Sequence, residues 1–310
     1  MIDAFHLPPK YNSDVQVFLP MSTNANQTWQ QWVKPPGISM IYMYCIGSGG
    51  GGGGGFTRVS GAAGGGGGGG SGATASLLIP AMFVPDTLYV QPAIGGLGST
   101  GSTVAGGNGG HSYVSIGAFP AGTAASMIGH QNVYLHSGVL ATVATGGGAG
   151  TVAAGGSAGV AEGVATAALN TLGSNMGFWK ATIGKVGFIG GFSAAGTAAS
   201  NVLSASTTTT SGGAGGGGAN AADTIGGAVT GASFFLTVSG GTAGSGNGSA
   251  GTTFASMTTG GSGGGGSAAG IGGHGGNAGG IGSGGGGGGS GTTGGRGGRG
   301  GDGMVVIISW

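Results

Sequence analysis

The sequence predicts an all-β protein, a β-sandwich into which a bundle of polyglycine II helices is inserted, with no substantial α-helix. Three observations carry this expectation. Glycine fills 88 of 310 positions, much of it in unbroken runs. Helical periodicity is missing, because glycine interrupts nearly every stretch and each interior glycine costs a helix about 1 kcal/mol relative to alanine. The two most strand-like segments, 38–46 and 304–310, bracket the glycine-rich body.

Residues 1–28 differ from the rest: they carry Pro8, Pro9 and Pro20, few glycines, and one short alternating run, Val15-Gln16-Val17-Phe18-Leu19. They are expected to form an extended N-terminal arm suited to attachment, with 29–310 as the body. From Trp29 the chain passes a Pro35-Pro36-Gly37 turn into the β-favouring segment 38–46. Segments 75–79 and 87–91 are the next strands, separated by Pro80-Ala81-Met82-Phe83-Val84-Pro85-Asp86. Weaker candidates follow at 112–116, 133–136, 139–143, 180–189 and 233–238. The closing Met304-Val305-Val306-Ile307-Ile308-Ser309-Trp310 is apolar on both faces, as an interior strand requires.

The runs 49–55, 64–70, 215–218, 263–266 and 284–289 recur between β segments that must return to one sheet system, which a linker does not do. Nine prolines and no strict triplet repeat exclude collagen. In the polyglycine II helix, three residues per turn with a rise of about 3.1 Å, every peptide group points outward. Packed side by side, such helices satisfy one another's backbone groups. Gly52, Gly67, Gly216, Gly264 and Gly286 are the structural positions of the five runs. In 294–303, GGRGGRGGDG, Arg296, Arg299 and Asp302 recur every third residue and are expected to line one exposed edge.

Charged residues are only 4% of the chain and the net charge is +1. Long-range attraction to nucleic acid or acidic membranes is therefore not expected, and no apolar stretch is long enough to span a bilayer. The opening MIDAFHLPPK lacks the pattern of a secretory leader, so synthesis in a cytoplasm is expected. Cys45, within an apolar run, reads as a buried hydrophobe. Catalytic patterns carry no weight at this composition: Gly155-Gly156-Ser157-Ala158-Gly159 and Gly260-Gly261-Ser262-Gly263-Gly264 match a nucleophile elbow formally. Gly184-Lys185-Val186 lacks the hydroxyl residue of a phosphate-binding loop. The carboxylates are isolated in sequence, so neither an enzyme nor a cofactor or metal site is expected. Candidates for a partner-facing surface are His130, Tyr134 and His136 around the 133–136 strand, and Phe178 and Trp179 in the aromatic middle region.

Trp32-Val33-Lys34-Pro35-Pro36-Gly37, the strand end Cys45-Ile46-Gly47, the run after it, Phe56-Thr57 and the second run 64–70 resemble the glycine-rich virion proteins of tailed bacteriophages. Pro85-Asp86-Thr87-Leu88-Tyr89-Val90-Gln91 and the closing Gly301-Asp302-Gly303-Met304-Val305-Val306-Ile307 extend the resemblance, which covers 29–116 and 294–310. It implies polyglycine II helices on a jelly-roll sandwich like that of tumour necrosis factor. It also implies a tail-fibre or adhesin subunit, displayed on the virion, that binds a host-surface glycan or protein. The alternative is a capsid decoration or head-fibre protein held to other virion proteins by the arm. A homotrimer is expected, since burial between subunits would account for the shortage of charge.

Overall fold

A computed structural model describes residues 13–21, 29–58, 61–117, 133–136, 146–151, 154–161, 178–191, 202–204, 210–219, 222–231, 236–254 and 257–310. These residues are all-β, with no α-helix among them. The strands are β1 (Asp14–Phe18), β2 (Gln30–Val33), β3 (Met40–Ile46), β4 (Thr74–Pro80), β5 (Thr87–Gln91), β6 (Tyr113–Ser115), β7 (Val133–His136), β8 (Phe178–Thr182), β9 (Val202–Ser204), β10 (Val229–Gly231), β11 (Leu236–Val238), β12 (Thr253–Phe254), β13 (Met257–Thr258) and β14 (Met304–Ser309).

An antiparallel five-stranded sheet has the order β1-β14-β3-β4-β8, and an antiparallel four-stranded sheet the order β2-β5-β6-β7. Their apolar faces meet in one cluster: Phe18, Ile41, Met43, Cys45, Leu77, Ile79, Val305 and Ile307 from the first, Trp32, Leu88, Val90 and Val114 from the second. Alternation does this work, because residues two apart in a strand share a face. Cys45 is fully buried here. Trp32 is also fully buried, and its indole N–H has no acceptor among the described residues. Lys34 fastens the β2 end to the β4–β5 connection, with Nζ 2.9 Å from the Asp86 carboxylate and 2.8 Å from the Val84 carbonyl.

The alternating run in the expected arm is β1, hydrogen-bonded to β14 with Asp14 opposite Ser309 and Phe18 opposite Val305. β14 in turn lies between β1 and β3, with Met304 opposite Ile46. The chain therefore leaves β3 into the first glycine run at the same end of the sheet where the last glycine segment enters β14.

Beyond that end the glycine segments lie side by side in an array. The 49–56 segment makes no backbone hydrogen bond to itself and addresses its neighbours in rotation. N–H groups of Gly49, Gly52 and Gly55 donate to carbonyls of Gly301, Gly298 and Gly295; those of Gly50, Gly53 and Phe56 to Gly70, Gly67 and Gly64; those of Gly51 and Gly54 to Gly107 and Val104, all at 2.8–3.0 Å. Its carbonyls accept with the same period: Gly50 and Gly53 from Gly285 and Gly288, Gly49 and Gly52 from Gly96 and Ser99, Gly51 and Gly54 from Gly147 and Gly150. Segments 64–70 and 284–289 are surrounded in the same way. Residues 49–55, 64–70 and 284–289 are buried throughout.

Segments at the rim keep glycine inward and larger residues outward. Ile183, Val186 and Ile189 are exposed while Gly184, Gly187 and Gly190 are buried. The 180–189 region, expected as one strand, therefore changes its repeat after Thr182, from two in β8 to three in the array. The reason is the glycine spacing: glycine recurs every third residue in the column that faces packed backbone, while Ile183, Val186 and Ile189 fill the outward column. A second, smaller sheet, β11-β10-β9, and the β12–β13 hairpin flank the array, and Val229, Val238 and Phe188 pack around Ala214. The expected strand 139–143 lies outside the described residues.

Candidate functional site: the turns at the far end of the array

Each glycine segment that leaves the sheet end must turn back, and the turns gather at the opposite end of the array. Bridges between Thr57 and Gly291, Ala63 and Ala219, Thr224 and Gly266, and Ile271 and Thr293 tie neighbouring turns together. The chemistry-bearing residues of the array concentrate here because a side chain is sterically excluded from the packed columns.

Arg58 is the anchor of this end. It is 9% exposed, and its guanidinium donates through Nη1 to the Gly61 carbonyl and through Nη2 to the Ala268 carbonyl. Asp223, exposed, accepts from the Ala268 N–H through Oδ1 at 2.6 Å. One peptide turn is thus held from both sides by opposite charges. Its Ser267 hydroxyl accepts from Gly270 N–H at 2.9 Å, and Thr292 Oγ1 donates to the Gly270 carbonyl at 3.1 Å.

Two residues without glycine's freedom adopt left-handed backbone here: Thr103 at φ 59° and Ser245 at φ 94°. Among the described residues no other non-glycine does so. Such conformations cost on the order of 1–3 kcal/mol and persist where the surroundings impose them. Both residues are exposed hydroxyl carriers. The face they share with Asp223, Thr292 and Thr293 offers hydroxyls, peptide groups and a carboxylate, a set suited to hydrogen-bonded recognition of a polar surface.

The partner-facing candidates from the sequence are not gathered at this end. His130 lies outside the described residues. Tyr134 and His136 belong to β7, the edge of the four-stranded sheet, where His136 is in register with Tyr113. Phe178 and Trp179 belong to β8, the edge of the five-stranded sheet, opposite Leu78 and Leu77 respectively.

The 294–303 segment runs along the rim. Arg296 is exposed, whereas the side chains of Arg299 and Asp302 are 36% and 38% exposed and joined at 2.5 Å. Asp302 also accepts from Gly95 N–H at 2.8 Å, so this third position faces a neighbour. Side chains close the backbone where the array ends: His274 Nδ1 accepts from Arg296 N–H at 2.9 Å and Asn277 Oδ1 from Arg299 N–H at 2.8 Å. Ser262 of the formal nucleophile pattern is fully buried, donating to the Ser239 carbonyl at 2.7 Å. Among the described residues no three His, Cys, Asp or Glu side chains form a metal-binding group.

Arg58, Asp223, Thr103 and Ser245 escaped the sequence reading. Arg58 had a usable signal, being the single charged residue between two glycine runs. Asp223 and Ser245 had none, since only the array brings their turns together. No protein-family model matches the chain, and comparison with curated proteins gives no significant match.

Proposed function

We propose that this protein is a structural and recognition component of a bacteriophage particle, a tail-fibre or adhesin subunit that presents the far-end turns to a host-surface glycan or protein. In this reading the array is a bundle of polyglycine II helices, and the two facing sheets are a jelly-roll sandwich of the tumour necrosis factor type. Support for the helices comes from donors that return to the same neighbour every third residue. The protein acts as a self-associated, threefold subunit on the virion after synthesis in the host cytoplasm.

The observation that carries the proposal is the division of labour in the chain. The array is a scaffold in which almost no glycine position admits a side chain, and it ends in turns held by Arg58 and Asp223 and bearing Thr103 and Ser245 in left-handed backbone. Rigid support of polar turns suits recognition rather than enclosure of a small substrate. The alternative, a capsid decoration or head-fibre protein gripping the shell through 1–28, must attach through residues other than Asp14–Phe18, which already form β1.

The test is binding of the purified full-length chain to intact host cells, with Thr103→Gly and Ser245→Gly as tip variants, which remove the hydroxyls and keep the left-handed backbone. Both should abolish binding while the thermal transition moves little. Cells that bind wild type and both variants equally would remove the tips from recognition. Labelling the chain on virions then separates the readings: label at the tail supports the adhesin, and label over the head supports decoration.

A further inference from the structure

On one side of the array three neighbouring segments, 247–251, 271–278 and 293–299, are joined by bonds from Gly248 N–H to the His274 carbonyl, Gly251 to Asn277, Gly275 to Arg296 and Ala278 to Arg299. Asn247, His274 and Arg296 form one row across their outward columns. Asn277 and Arg299 follow one turn along, about 9 Å away at three residues per turn. In an outward column the backbone N–H has no further segment to donate to, and here a side chain of the adjacent column receives it. Asn247 Oδ1 accepts from His274 N–H at 2.9 Å, His274 Nδ1 from Arg296 N–H at 2.9 Å, and Asn277 Oδ1 from Arg299 N–H at 2.8 Å.

These bonds fix the chemistry of the surface. A backbone N–H is met only by an acceptor, so the side-chain oxygens of Asn247 and Asn277 are turned to the backbone, and the amide nitrogens with their N–H donors are left over. His274 accepts at Nδ1, so its neutral ring carries the proton at Nε2. Arg296 can only donate. All four residues are exposed, and among the described residues these remaining donors have no acceptor. The Arg299 charge is matched by Asp302 at 2.5 Å, whereas no described carboxylate is paired with Arg296.

We propose that this row of donors, Asn247, His274 and Arg296 with Asn277 beside it, binds an anionic glycan, a sugar chain bearing carboxylates. The inference does not rest on the far-end turns. Arg296 supplies the planar fork that meets a carboxylate through two parallel hydrogen bonds. The neutral N–H donors suit the ring and hydroxyl oxygens of the sugars. Asn247, His274 and Asn277 are already tethered by their backbone bonds, so they lose less freedom when a ligand arrives. Nucleic acid fits less well. Its affinity grows with the number of phosphates neutralised, and one unpaired guanidinium neutralises few. The three segments also carry no Phe, Tyr or Trp on which bases could stack.

Titration calorimetry of the full chain with oligogalacturonate, a neutral dextran oligosaccharide and single-stranded oligothymidylate tests the assignment. Wild type is expected to bind oligogalacturonate at least about tenfold more tightly than either of the others. Asn277→Asp keeps the oxygen that accepts from Arg299 N–H and turns the outward donor into an acceptor, while Arg296→Gln removes the charged fork. Each is expected to weaken binding about tenfold, the scale of one lost charge-assisted hydrogen bond, with an unchanged thermal transition. Arg296 is exposed, so its replacement keeps the test interpretable should Asn277→Asp fail to fold. Asn108→Asp is the control: Asn108 Oδ1 accepts from Gly146 N–H at 3.1 Å in the same manner, away from this row and near exposed Val104 and Ala105, and its replacement should leave binding unchanged. A wild type that binds none of the three, binds dextran equally or prefers oligothymidylate overturns the proposal, as does unaltered binding by Arg296→Gln. None of these outcomes touches the far-end turns, which the host-cell assay with their own variants tests.

Discussion

At the scale of the residue, glycine is required in the array because backbone occupies the place of a side chain. A Cβ built on Gly52 lies 1.9 Å from the Gly286 carbonyl oxygen, and on Gly67 it lies 2.0 Å from that of Ser157. Gly216, Gly264 and Gly286 each meet a neighbouring carbonyl oxygen at 2.0 Å. Those oxygens are also acceptors, so they cannot move aside without breaking hydrogen bonds. Gly52→Val or Gly67→Val should therefore lose more than the about 1–3 kcal/mol usual for overpacking, with a sharply lower thermal transition and soluble yield. Gly101, with nothing within 4 Å of its Cβ position, is the control. Gly101→Ala should unfold like wild type, and equal transitions for Gly101→Ala and Gly52→Val would show that the contacts do not hold the array together.

At the scale of the element, β14 is the strand on which closure depends. It is hydrogen-bonded on both sides, and Val305, Ile307 and Ile308 are at most 6% exposed. Three such burials contribute about 5–9 kcal/mol, comparable to the whole stability of a domain. Deleting 304–310 should abolish cooperative unfolding and protease resistance; a truncated chain that keeps both would sink the argument. The glycine segments have a different vulnerability, which is phase. One extra glycine between Gly286 and Gly287 turns every later residue of that segment by a third of a turn, aiming its donors at the wrong neighbours. Three extra glycines restore the phase and displace the turn by about 9 Å. The three-residue insertion should therefore unfold at higher temperature than the one-residue insertion, and the reverse order would contradict a three-residue repeat.

At the scale of the whole molecule, two kinds of interior are joined end to end. Between the sheets the core is apolar side chains, whereas in the array it is peptide groups paired with peptide groups. Ordering so much glycine is entropically costly, since it loses more freedom than any other residue. The offset is collective, because a segment gains its hydrogen bonds only when its neighbours are in place. Exposure of apolar surface raises the heat capacity of unfolding and exposure of polar surface lowers it. Scanning calorimetry should accordingly give a heat-capacity increment per residue below the usual range of about 12–15 cal/mol/K. A value inside that range would mean that far more apolar surface is buried than these two interiors contain.

The sequence by itself determined that the protein is all-β, because glycine at this density defeats helices and because 38–46, 75–79, 87–91 and 304–310 have strand composition. It also determined where side chains are forbidden, since the runs are written in glycine. It misjudged 183–189, where strand composition and three-residue glycine spacing compete, and packing against neighbouring segments settled the matter. It left β2, β9, β10, β12 and β13 unread, because strands of two to four residues carry too little pattern of their own. Only the tertiary structure decided that Arg58 and Asp223 hold one turn between them. Periodicity is a local property that a chain displays residue by residue, whereas the meeting of turns more than 160 residues apart exists only once the array has closed.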